Sequence, residues 1–310
     1  MIHLAAAAAV VACSAAMMEA VTLARRLAPF PRPIALVGET GVGKRLIARL
    51  IHTHSGRAGP FVTVHGGEVS DSTQPTLTGD ERPGLGAGQT RLRGPFERAQ
   101  NGTLFLEDLP LWPREAQRAV LRVLDEGVIA PRGLERGLPL SCRLIVASQR
   151  PLDELVNDGR LLPAFRWWIG EFVINVPPLR GRFLDIAALS YHFLDRARDE
   201  FGTRVPTVLE PKALDRLLRY HWPGNVRQLR GAVEWSCVQA AASTSDRIRI
   251  TDLPPPVVRD ETVAVPVDLE ARRALSRWAF ERAGGDRKRA AQLLGVHPNT
   301  IDNHRRAAAQ

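Results

Sequence analysis

Residues Ile34 to Leu46 read IALVGETGVGKRL, an apolar run of strand type that breaks into a glycine loop and then opens a basic helix. In Gly38-Glu39-Thr40-Gly41-Val42-Gly43-Lys44 the glycines let backbone N–H groups turn inward around a polyphosphate. Lys44 and the helix N-terminus that follows add positive charge. The pattern is that of a phosphate-binding loop, with one departure. It normally closes on Ser or Thr, whose hydroxyl holds Mg²⁺, and here Arg45 stands in that place.

Outward from the loop, short apolar runs alternate with helix-like segments. Ile34–Gly38, Phe61–His65, Thr103–Leu106, Arg143–Ser148 and Phe172–Val176 read as strands, a rhythm that predicts a parallel α/β sheet. Between two of them, Pro113–Asp125 (PREAQRAVLRVLD) has helical period, with Pro113 suited to a first helical position and Val120, Leu121 and Leu124 on one face. After Pro177-Pro178 the strand pattern stops. Leu184–Phe201, Pro211–Tyr220 and Asn225–Ala242 read as three helices, and the Pro- and Val-rich stretch Leu253–Asp268 as a semi-extended linker. The expected organisation is a nucleotide-binding core over 1–178, a helical domain over 179–253, a linker over 254–268 and a small helical domain over 269–310.

At 310 residues, 45% hydrophobic and 24% charged, the chain has ordinary globular composition and can bury a sizeable core. A formal charge of +9 suits an anionic partner such as nucleic acid or nucleotide. Cys13, Cys142 and Cys237 are the three cysteines, without metal-ligand spacing, so neither a disulfide framework nor a zinc site is expected. The cytosol is the expected compartment. The start MIHLAAAAAVVAC lacks a basic leader region and is too short to span a membrane, so it reads as a helix leading into the first strand.

Two more stretches belong with the loop. Gly102–Asp108 (GTLFLED) is an apolar strand ending in adjacent carboxylates, the arrangement by which P-loop NTPases hold hydrated Mg²⁺ and polarise water. Trp222–Leu229 (WPGNVRQL) places Arg227 in a helix that begins after a Pro-Gly turn. With GETGVGKRLIARLIH (38–52), GPFVTV (59–64), GPFERAQNGTLFLED (94–108) and PPLRGR (177–182), these residues make the chain resemble the bacterial enhancer-binding proteins, the AAA+ activators of sigma-54 RNA polymerase. The resemblance implies an α/β AAA+ P-loop NTPase core with a helical lid, assembled as a hexamer with ATP between subunits, and a C-terminal helix-turn-helix of Fis type. By it, Lys44 would contact the β and γ phosphates of ATP or ADP. Glu107 would hold Mg²⁺ through water, Asp108 would take the catalytic position, and Arg227 would be the lid arginine that senses the γ-phosphate.

The same comparison exposes substitutions. The family's acidic pair is Asp then Glu, whereas this chain has Glu107 then Asp108, so the shorter acid sits back from the attacking water. Gln149 replaces a sensor Asn. The two positions from which arginines reach into a neighbour's site hold Leu162 and Trp168, and such arginines contribute ~10³ to 10⁵ in rate. Arg160 and Arg166 keep their mutual spacing but lie two positions upstream, nearly on the opposite helical face. The loop that contacts sigma-54 in the family aligns with Pro83–Gly88, where Leu85 and Gly86 replace its Phe and Thr. Weak or absent ATP hydrolysis and no direct drive of sigma-54 polymerase are expected.

In the last segment, nine basic residues face five acidic ones when Asp268 is counted. A helix over 269–283, a Gly-Gly break, a short helix over 287–294, a Gly295-Val296 turn and a helix over 298–308 make a helix-turn-helix pattern. Ala290, Ala291, Leu294, Val296 and Ile301 would pack it. Arg287, Lys288, Arg289 and Arg306 would contact phosphate, and Asn299, Thr300 and Asn303 base edges. His297, His304 and Arg305 would lie on or near the reading helix. Leu275, Trp278 and Ala279 of the first helix could supply a dimer interface. The first reading is a sequence-specific DNA-binding transcription regulator that binds nucleotide and self-associates, as a dimer to a hexamer, with no membrane partner. Two others stay open: a working ATPase that remodels sigma-54 RNA polymerase, and a subunit that modulates hexamers of an intact paralogous activator.

Overall fold

The computed structural model describes residues 10–69, 77–80, 92–131, 133, 136–202, 206, 208–243, 245–259 and 269–306. They divide into two compact units. Glu19–Val176 make most of one, and Val11–Met18 with the chain from Pro177 onward make most of the other.

The first unit is built on five parallel strands: β1 (Ile34–Val37), β2 (Phe61–His65), β3 (Thr103–Glu107), β4 (Arg143–Ser148) and β5 (Val173–Asn175), in the order β2-β3-β4-β1-β5. The central strands are continuous apolar runs because both their faces are covered. All of β1 and β4 is buried, as is β3 up to Leu106, whereas edge strand β2 buries only Val64 fully. In register, Ile34 lies beside Ile145 and Phe105 beside Ile145 on the other flank, so the loop after β1 and the acids after β3 emerge at the same edge.

Among the helices of this part of the chain are α1 (Ala15–Leu27), which starts in the other unit, α2 (Lys44–His54), α3 (Arg114–Glu126), α4 (Leu152–Asn157) and α5 (Pro163–Ile169). Val120, Leu121 and Leu124 of α3 are buried, and Pro113 sits one residue earlier than expected, as N-cap rather than first helical residue. Full burial of an aliphatic side chain such as Val120 contributes roughly 1.5–3 kcal/mol. Arg143 is a buried cation at the start of β4 that donates to the carbonyls of Leu27 (2.9 Å), Ala28 and Arg32 (3.2 Å). It satisfies the open carbonyls at the end of α1, and burial pulls its pKa down to about 10.

The second unit is helical: α6 (Phe183–Phe201), α7 (Pro211–Arg219), α8 (Asn225–Ala242), α9 (Pro255–Arg259), α10 (Leu269–Arg282), α11 (Arg287–Leu294) and α12 (Pro298–Arg306). Its WPGN turn is structural. Trp222 is fully buried, donates from Nε1 to Leu217 O at 2.8 Å and meets Tyr220 edge-on, while Asn225 Oδ1 accepts from Leu179 N at 2.7 Å. The latter bond ties the PPLRGR segment to the head of α8.

Asp185 is wholly buried and accepts from Cys13 N, Ser14 N and Ser14 Oγ at 2.5, 3.0 and 2.8 Å, beside buried Arg182. The expected extended linker is corrected over its first residues. Pro255–Arg259 is a helical turn, because prolines lack the N–H that a first turn leaves open, and Val257 is buried with its carbonyl accepting from Arg216. The rest of that linker, 260–268, lies outside the described residues, as does the 83–88 loop.

Candidate functional site

Three features meet at the carboxyl edge of the sheet. The loop Gly38–Gly43 joins β1 to α2. Gly38 must be glycine because a Cβ there would fall 2.5 Å from Val176 O, and Gly43 adopts φ 107° just before the helix. Lys44 folds over its own loop and donates from Nζ to Gly38 O at 2.6 Å and Glu39 O at 3.0 Å.

Glu107 ends β3, and Asp108 follows in the left-handed region at φ 50°, ψ 56°. Both carboxylate oxygens of Asp108 are engaged. His65 Nε2 lies 2.9 Å from Oδ2, and Gln149 Nε2 donates to Oδ1 at 3.3 Å. Sequence reading gave His65 no role. Its signal lies in the register, since β2 and β3 run parallel with His65 beside Glu107, which brings the imidazole to the next residue.

Arg45 is the second residue of α2, with Nε 3.9 Å from Glu107 Oε1. Mg²⁺, implied by the resemblance, does not fit this arrangement. A cationic guanidinium faces the carboxylate that would hold it, no hydroxyl stands at position 45, and Asp108 already has two partners. The remaining loop residues, Thr40, Gly41 and Val42, lie where the sequence places them, with Val42 buried.

The positions expected for arginine fingers are engaged inside the unit. Leu162 packs on its core and its N–H donates to Gln117 Oε1 at 2.9 Å, while Trp168 Nε1 donates to Asp125 Oδ1 at 2.7 Å. Arg166 is held by Asp153 at 2.8 Å and by Gly170 O at 2.6 Å, and Arg160 is exposed. In the other unit Arg227 lies in the first turn of α8 and is exposed.

The last three helices make a second surface. Asp286 caps α11, accepting from Lys288 N at 2.8 Å and Arg289 N at 3.2 Å, and Gly295, Val296 and His297 turn the chain into α12. Ala290, Ala291 and Ile301 are buried with Ala279 and Ala283, and Leu293, Leu294 and Val296 pack on them. Lys288, Arg289, His297, Asn299 and Asn303 are exposed, and Thr300 is half-buried. Arg287 pairs with Asp302 at 2.7 Å. His304 turns inward to Ser276 Oγ at 2.9 Å, away from a reading face, and burial together with Arg273 and Arg272 lowers its pKa. The side chains of Arg305 and Arg306 lie outside the description.

Leu275 and Ala279 do not offer a free face. Leu275 joins the core shared with α6, and Ala279 is buried among α10–α12. Tyr191 of α6 lies against Trp278 at 5.6 Å, Arg282 stands 4.8 Å over the Tyr191 ring and pairs with Asp195 at 2.9 Å, and Tyr191 Oη donates to Leu293 O at 3.2 Å.

A glycine loop after β1, a strand tipped with acids one place removed from it across β4, and five parallel strands in this order define an AAA+ P-loop NTPase fold. The sigma-54 interaction domain family matches residues 10–173, and the AAA+ ATPase lid domain family matches 180–268. The chain is 32% identical to the sigma54-dependent transcriptional activator SfnR of Pseudomonas putida, over 84% of its length and 72% of that protein. It is 32% identical to the C4-dicarboxylate transport transcriptional regulatory protein DctD of Pseudomonas aeruginosa, over 89% of its length and 59% of that one. Among solved structures, NtrX from Brucella abortus in complex with ATP superposes with a TM-score of 0.70 at 26% identity, covering 97% of this chain and 69% of NtrX. The chain belongs to the sigma-54 activator family of bacterial transcription regulators. Among the described residues no helix is long and apolar enough to cross a membrane.

Proposed function

We propose that the protein is a sequence-specific DNA-binding transcription regulator whose AAA+ core binds ATP or ADP at Gly38–Arg45 and hydrolyses it weakly or not at all. The observation that carries the hydrolytic part is the state of Asp108. It is set back by one methylene, held in the left-handed region and engaged on both oxygens by His65 and Gln149. A carboxylate so occupied is poorly placed to polarise water, and Leu162 and Trp168 bring no charge from a neighbour. Nucleotide binding draws support from the intact glycine loop and from the likeness to ATP-bound NtrX. Arg227 is proposed to sense that nucleotide, and the core to self-associate.

DNA binding rests on α10–α12, read as a helix-turn-helix. Asn299 and Asn303 stand four residues apart on the exposed side of α12, spaced to meet successive base edges, and Lys288 and Arg289, exposed on α11, are the proposed phosphate contacts. A second reading, a working activator of sigma-54 polymerase, draws on the match of the sigma-54 interaction domain family to residues 10–173. Selection of bound sequences from a random duplex pool, followed by footprinting, tests the first. Wild type protects a defined site. Asn299→Ala relaxes its sequence preference at a cost of about 1–3 kcal/mol, and Arg289→Ala weakens all duplexes about equally. No enriched sequence, or a footprint indifferent to both substitutions, contradicts the reading.

A further inference from the structure

We infer that nucleotide at Gly38–Lys44 is held without Mg²⁺, the Arg45 guanidinium supplying the positive charge that a metal ion supplies in other P-loop proteins. The inference rests on the reading that the core binds nucleotide and adds how it does so. Three observations carry it. Arg45 occupies the first turn of α2, next to Lys44 and at the helix N-terminus toward which a phosphate chain is drawn. Its guanidinium stands 3.9 Å from Glu107 Oε1, so the carboxylate that would gather a hydrated cation already faces a cation of the protein's own. The adjacent acid is engaged as well, with His65 on Oδ2 and Gln149 on Oδ1 of Asp108.

Chemistry favours the exchange. Mg²⁺ demands near-octahedral oxygen ligands and surrenders its water reluctantly, and a neighbouring guanidinium repels it. Arginine is always charged, and its planar fork matches two phosphate oxygens at once, which a lysine does not do. Arg45 is 55% exposed, free to swing from Glu107 onto a phosphate. Lys44, Arg45 and the loop amides would then neutralise the diphosphate end of ADP or ATP. Metal-free binding also accords with weak hydrolysis, because no ion spans the β and γ oxygens to absorb developing charge.

The test is calorimetric titration of the full chain with ADP and with ATP, in excess Mg²⁺ and in excess EDTA. Wild type is expected to bind with an affinity unchanged within about threefold between the two conditions. Arg45→Thr is expected to lose about tenfold or more in EDTA and to recover when Mg²⁺ is returned, with its circular dichroism unaltered. Lys44→Ala should lose binding in both and so locates the signal at the loop. Wild-type binding that collapses in EDTA overturns the inference while leaving nucleotide binding intact. Absence of binding in both conditions overturns the nucleotide reading itself, and the inference with it.

Discussion

At the scale of single residues, buried charge in this chain is either spoken for or costly to disturb. Asp185 lies in the helical unit with no exposure, and burial raises its carboxyl pKa against the lowering pull of Cys13 N, Ser14 and Arg182. Removing it strands two backbone N–H groups and the Arg182 cation. Asp185→Ala is therefore expected to cost roughly 3–5 kcal/mol, read as a fall in the urea midpoint at unchanged slope. An unchanged midpoint would mean that the N–H groups find water. The sign of the pH dependence follows from the same group. Because its folded pKa is raised, its contribution favours folding at low pH and is lost as pH rises through the folded value. The wild type should thus lose stability over a window just above the usual carboxylate range, and Asp185→Asn should flatten that dependence.

At the scale of elements, the joint between α6 and the last three helices is the feature that sequence did not disclose. Tyr191, Asp195, Trp278, Arg282 and Leu293 are spread over a long stretch of chain, and their contacts arise only after α10 has folded back on α6. Helical period marks each helix but does not say which face meets which partner. Tyr191→Ala is expected to cost about 3–5 kcal/mol of local stability, seen as earlier amide exchange in α10 and α11 with β1, β3 and β4 protected as before. Equal loss of protection in both units would show that the joint is not local. Severing the chain at 268 would uncover Leu275's apolar neighbours on α6, so point substitutions are the sounder probe of the tail.

The strands were legible for a physical reason. β1, β3 and β4 are covered on both faces, so their burial is written as unbroken apolar runs that glycine and polar residues bound to within a residue or so. The glycine loop was legible because close approach of Val176 O to Gly38 leaves no room for a side chain. His65 was not, since its reach to Asp108 is a matter of register between neighbouring strands, which no local pattern encodes. Pro255–Arg259 misled in the other direction. Clustered prolines signal an extended linker, yet at the head of a short helix they fit the first turn, and the burial of Val257 decided between the two.

At the scale of the whole molecule, we propose a sigma-54 activator fold in which the loop is kept and the machinery expected around it exchanged. Arg45 faces Glu107, Asp108 is clasped by His65 and Gln149, and the places expected for two trans-acting arginines hold a core leucine and a tryptophan bound to Asp125. Arg166, the nearest basic substitute, is committed to Asp153 and Gly170. The most direct measurement is steady-state ATP turnover by the full chain at a concentration high enough to drive self-association, read beside nucleotide binding in the same sample. The account predicts that ATP binds, that Lys44→Ala abolishes the binding, and that turnover by wild type stays at or barely above that of Lys44→Ala. Brisk turnover by wild type, on the order of 1 s⁻¹ or faster, that Lys44→Ala removes would contradict it.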